Sequence, residues 1–87
     1  MNVYILLVDW AFEGTHEVSI VSVHSNLYKA QEAMAEFIDV EKKESWIADV
    51  DKDDCDEVSD STAWNIWEKG KTANTYTSVR IESHELE

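Results

Sequence analysis

The hydrophobic and polar positions divide this chain into five recognisable stretches. Residues 3–12, Val-Tyr-Ile-Leu-Leu-Val-Asp-Trp-Ala-Phe, form an almost unbroken apolar run rich in β-branched and aromatic side chains. That composition, with Gly14 just after it, predicts a strand rather than a buried helix. Apolar residues on both parities predict a central position, covered at least in part on both faces. Glu13-Gly14-Thr15-His16 reads as a hairpin loop, and residues 17–24, Glu-Val-Ser-Ile-Val-Ser-Val-His, as the return strand.

The period then changes from two to 3.6. Leu27, Ala30, Met34, Phe37 and Ile38 fall within a stripe of about 100° on a helical projection, while Glu32, Glu36 and Asp39 point away. Ser25 or Asn26 is the expected N-cap, without a capping box, since neither is followed three residues on by Glu or Gln. Asp39 and Lys43 form an i,i+4 pair in the favourable order. Glu41 returns to the apolar stripe, so the helix is expected to leave the core near residue 40 or to turn its last part to solvent.

Beyond an acidic stretch, alternation resumes. Ala63–Glu68 predicts a third strand and Lys69-Gly70-Lys71 a turn. Thr75–Ser83 predicts a fourth strand, with Val79 and Ile81 on one face and Arg80 and Glu82 on the other. The tail from His84 to Glu87 is expected to fray. The expectation is one α+β domain spanning residues 1–87: an antiparallel sheet of about four strands in ββαββ order, one main helix on one face, and a long acidic connection.

Composition sharpens this. The 87 residues hold 19 Asp and Glu against 7 Lys and Arg, a formal net charge of −12. Affinity for phosphates comes mainly from Lys and Arg, so direct nucleic-acid binding is not expected, nor is attachment to anionic lipid. Four Trp, three Tyr and two Phe supply large side chains for a small core, and the chain has only two Gly and no Pro. No apolar run is long enough to span a bilayer. The start Met1-Asn2-Val3-Tyr4 enters a strand pattern without a basic segment, so no signal peptide is expected. One cysteine, Cys55, fits a reducing cytoplasm.

The opening Val3-Tyr4-Ile5-Leu6, the run Val21-Ser22-Val23-His24-Ser25 and the helical Lys29-Ala30-Gln31-Glu32-Ala33 resemble a loose group of small phage and bacterial proteins. In that group two strands precede a helix entered through a Ser. The resemblance covers roughly the first 40 residues and implies a strand–strand–helix half and a phage or prophage setting, hence a host cytoplasm. It implies no activity.

Residues 44–60 carry the strongest chemical signal, with eight acids against a single Lys, a net of −7. One reading is a solvated loop whose charges keep the protein in solution. The other is a row of carboxylates that enters a basic groove on another protein in place of nucleic-acid phosphates. Duplex DNA presents about one charge per 1.7 Å, so such a mimic needs dense anions and a basic partner. Asp49, Asp51, Asp53, Asp54, Asp56, Glu57 and Asp60 supply them, with Trp46 and Trp67 as candidate anchors. The partner would be a nucleic-acid-handling enzyme or a host defence protein, and the chain its inhibitor.

Other chemistries compete. Asp49, Asp51, Asp53 and Asp60 match positions 1, 3, 5 and 12 of a calcium loop, but Asp54 stands where the turn wants Gly and Asp60 where a bidentate Glu is usual. Cys55 lies among anions that disfavour its thiolate. His16, His24 and His84 have no short metal-ligand spacing. Two isolated glycines cannot form a phosphate-cradling loop, and so small a chain offers little enclosure for a perturbed carboxyl, so neither enzyme nor cofactor is expected. Trp64 and Trp67, three apart in a strand, must face opposite sides: one in the core, the other on the open face beside Tyr76. An exposed aromatic there would also suit a small homo-oligomer, such as a homodimer, that uses the open sheet face to bind a ligand or to assemble with itself.

Overall fold

The structure, a computed structural model, describes residues 2–70 and 75–85. Its elements run β1 (Asn2–Phe12), β2 (Thr15–His24), α1 (Leu27–Glu44), two short 3-10 turns (Trp46–Asp49 and Lys52–Asp54), β3 (Cys55–Ser59), β4 (Ala63–Glu68) and β5 (Tyr76–Glu85). All five strands join one antiparallel sheet in the order β2-β1-β5-β4-β3.

This corrects the expected four-stranded ββαββ arrangement, although the α+β character remains. The additional strand, β3, lies inside the acidic connection. Its residues Cys-Asp-Glu-Val-Ser show none of the alternation or β-branched enrichment that marks a strand in sequence. It forms because β4 offers a free edge, and Asp56 pairs with Trp67 and Val58 with Asn65 across it. The C-terminal end departs from expectation too. His84 and Glu85 pair with Val3 and Asn2 instead of fraying. Lys71 and the last two residues lie outside the described residues.

The β1–β2 hairpin turns through Glu13 and Gly14 alone, Phe12 pairing with Thr15. Both turn residues have positive φ, 50° and 89°, the combination whose twist matches that of the flanking strands. A register shift between Leu6 and Leu7 places Leu6 opposite Ser22 and Leu7 opposite Ile20.

Asn26 caps α1, its side chain accepting from the Lys29 N–H. The helix lays Ala30 and Met34 against the sheet, and the core closes around Leu6, Val8, Trp64, Ile66 and Val79. Trp10, Phe37, Ile38, Trp46 and Ile81 pack around that centre. The last part of the helix turns to solvent, with Val40, Lys42, Lys43 and Glu44 exposed. It continues to Glu44 with Glu41 half-buried, and ends where Ser45 Oγ and N–H both donate to the Glu41 carbonyl. No helix among the described residues is long and apolar enough to cross a membrane.

Candidate functional site

The acidic stretch follows the outer edge of the sheet. From Asp51 to Asp60 every residue except Cys55 is exposed. Its carboxylates fall into two groups according to what they touch.

The first group builds the fold. Asp51 accepts from the Asp53 N–H and opens the second 3-10 turn. Asp60 holds the β3–β4 turn, accepting from the Thr62 and Ala63 N–H groups at 2.9 Å each. Glu57, on the helix side of β3, accepts from the Trp64 indole and forms a 3.0 Å ion pair with Lys42. These contacts, the indole first, hold its carboxyl below the usual glutamate range. Asp56 lies 4.0 Å from Lys69, which also donates to the Asp53 carbonyl. The second group is Asp49, Asp53 and Asp54, whose carboxylates take part in no hydrogen bond or ion pair among the described residues. All three are exposed, Asp49 at the end of the first 3-10 turn and Asp53 and Asp54 in the second, just before β3.

The two aromatic candidates sit on opposite faces of the sheet. Trp46 is half-buried over the sheet and donates its indole N–H to Thr77 Oγ1 at 2.9 Å, so it is a packed residue rather than a projecting anchor. It nevertheless lines a cleft of about 740 Å³ between the end of α1 and the β1–β2 hairpin. Trp10, Phe12 and Phe37 share that wall, while Glu41, Glu44 and Asp49 also line it, with no Lys or Arg among the lining residues. Burial pushes the Glu41 carboxyl up, Glu44 adding in the same sense against the Ser45 hydrogen bond. An apolar wall beside unneutralised acids suits a long cationic side chain, whose stem lies on the rings while its head meets carboxylate or ring face.

Trp64 and Trp67 point to opposite sides, as their spacing requires. Trp64 is 2% exposed in the core, and Trp67 pairs with Tyr76 on the open face. There Trp67 borders Asp56 and forms, with Tyr76, Asn65, Ser78 and Asp9, a shallow depression of about 500 Å³.

Sequence reasoning missed one cluster beside it. Asp9 Oδ1 meets His16 Nε2 at 2.5 Å and the Tyr76 hydroxyl at 3.2 Å, joining β1, β2 and β5. Burial, then the Asp9 charge, pushes the Tyr76 phenol up. The two-residue hairpin could have revealed half of it, since that turn sets Asp9 and His16 diagonally across the ladder; the contact with Tyr76 depends on long-range strand order. His24 shares a hydrogen bond with Ser22 Oγ at 2.7 Å, and His84 contacts Glu82 at 3.2 Å.

The calcium alternative concerns Asp49, Asp51, Asp53 and Asp60. Among the described residues no group of three or more His, Cys, Asp or Glu converges on a common point, and the four loop Asp are separated by a 3-10 turn and β3. The Cys55 thiol is pushed up, by burial first and then by Glu68, Asp54 and Asp56, so it is a poor nucleophile. Comparison with protein-family models, curated proteins and solved structures yields no match.

Proposed function

We propose that the chain is a non-enzymatic binding protein whose acidic edge occupies a basic surface on another protein, in the place nucleic acid would take. The partner class is a nucleic-acid-handling enzyme or a host defence protein, and the consequence of binding is inhibition. One observation carries this reading: within one stretch of chain, Asp49, Asp53 and Asp54 are exposed and their carboxylates have no hydrogen-bond or ion-pair partner among the described residues. A solvated linker would not have its neighbours Asp51, Asp56, Glu57 and Asp60 engaged in caps, pairs and turns that fix its path.

The aromatic cleft supports the same class of partner. Asp49 belongs both to the acidic stretch and to the cleft wall, so a Lys or Arg entering beside Trp46 and Phe37 would meet one member of the carboxylate row. Crowding like charges costs free energy in the unbound protein, and a basic partner relieves that repulsion.

The test compares the wild-type chain with a D49N/D51N/D53N/D54N variant as bait in a bacterial lysate. Asn keeps the shape and the accepting oxygen that Asp51 uses as a cap, so the fold is expected to persist. Basic nucleic-acid-binding proteins should be retained by the wild type alone and released by added duplex DNA. Retention of the same proteins by the variant, or failure of duplex DNA to displace them, overturns the proposal.

A further inference from the structure

The two edges of this sheet differ in kind. β3, at one end, carries Asp56 and Glu57, charges that oppose edge-to-edge pairing. β2, at the other end, is ten residues long, contains no Pro, Lys or Arg, and among the described residues has no strand on its outer side. Residues 14–28 hold a single formal charge, Glu17, in a chain whose net is −12.

Apolar exposure gathers at the same place. Of the nine large hydrophobic side chains exposed among the described residues, seven lie between Phe12 and Tyr28. Val18, Ile20 and Val23, each more than half exposed, have neighbours Asp9, Leu7 and Ile5 on β1. An unprotected edge of this length, flanked by exposed aliphatics, is a surface that natural sheets cover or pair.

We propose that β2 pairs antiparallel with β2 of a second copy of this chain, about a two-fold axis near Val18–Ile20, joining two five-stranded sheets into one of ten strands. Charge selects the occupant. The strand itself carries only Glu17, and the acids nearest it, Glu41, Glu44 and Asp49, belong to the cleft between β2 and α1, so a second copy of so acidic a chain approaches along this edge with the least repulsion. Symmetry agrees, because aliphatics stand on both sides of the axis and a two-fold sets them against their own copies.

The contact is modest. Ten residues of strand span about 33 Å, and pairing two such edges of a sheet about 10 Å thick buries on the order of 1,000 Å² in total, the low end for a specific complex. The dimer is therefore concentration-dependent, and it leaves both acidic β3 edges free at opposite ends of the joined sheet.

Sedimentation equilibrium of the full chain, from about 5 to about 500 µM, tests this. The mass should rise to twice the monomer value. V18K and I20K, both at exposed sites, should stay monomeric while retaining the wild-type far-UV spectrum. V58K, on the other edge, should dimerise as the wild type does. Added salt should strengthen the dimer by screening repulsion between the two anionic copies, the reverse of its effect on a basic partner, so this proposal and the proposed function can fail separately. Amide exchange supplies a readout free of substitutions: the β2 amides should gain protection as concentration rises. A monomer at every concentration, or a dimer that survives in V18K and I20K, overturns the proposal.

Discussion

Glu57 and Trp64 sit diagonally across the β3–β4 ladder, and the indole N–H of the buried tryptophan donates to the Glu57 carboxylate. One member of the acidic row is thereby tied to the core, with Lys42 pairing to the same oxygen and its ammonium 5.8 Å above the Trp64 ring. The edge strand is fastened by the charge that helps make it acidic.

Removing that carboxylate should destabilise the protein. Glu57→Ala leaves the Trp64 N–H without its acceptor and is expected to cost about 1–2 kcal/mol at neutral pH. The Lys42 share is small, because the Glu57 side chain is 40% exposed and water screens the pair. Because folding lowers the Glu57 pKa, its contribution is present above the ordinary glutamate value of 4.5 and is lost as pH falls through the folded value. Thermal melts of wild type and variant should therefore differ most near neutrality and converge in acid. A gap that widens below pH 4.5 contradicts this assignment.

Glu41 has the opposite sign. Burial raises its pKa, so its ionised form opposes folding at neutral pH and the penalty fades as pH falls through the raised value. Glu41→Gln should raise Tm by a few degrees at pH 7, corresponding to about 0.5 kcal/mol once partial exposure is allowed for. An unchanged or lower Tm at pH 7 would show that the Ser45 contact outweighs desolvation.

The hairpin turn gives a third measurement. Glu13 holds φ of 50° before Gly14, a conformation that Asn tolerates better than Glu. Glu13→Asn should stabilise the protein by about 0.5–1 kcal/mol, read as a higher denaturation midpoint with an unchanged slope. A lower midpoint would mean that the Glu13 side chain has a stabilising role beyond the turn.

Local chemistry made much of the fold legible. The β1–β2 hairpin follows from Gly14 between two runs of strand formers, α1 from the stripe containing Ala30 and Met34, and the opposed Trp64 and Trp67 from strand parity alone. β3 was not legible, since Cys55–Ser59 is a strand only because β4 lies beside it. The same limit applies to the site. The crowding of Asp49–Asp60 is visible in composition, but its division into structural and unpaired carboxylates depends on contacts with Trp64, Lys42 and Lys69, and the bond from Trp46 to Thr77 spans 31 residues. Sequence supplies the charge, and tertiary contacts decide which of it is left unpaired.

The central claim is that the unpaired carboxylates act as phosphate surrogates, and the salt dependence of binding to a captured partner tests it most directly. The wild-type Kd, measured between about 50 and 200 mM salt, should weaken steeply and linearly on a double-logarithmic plot. D49N/D51N/D53N/D54N should lose binding at low salt, and any residual binding should show a much shallower slope. Equal affinities and equal slopes for the two proteins would contradict the account.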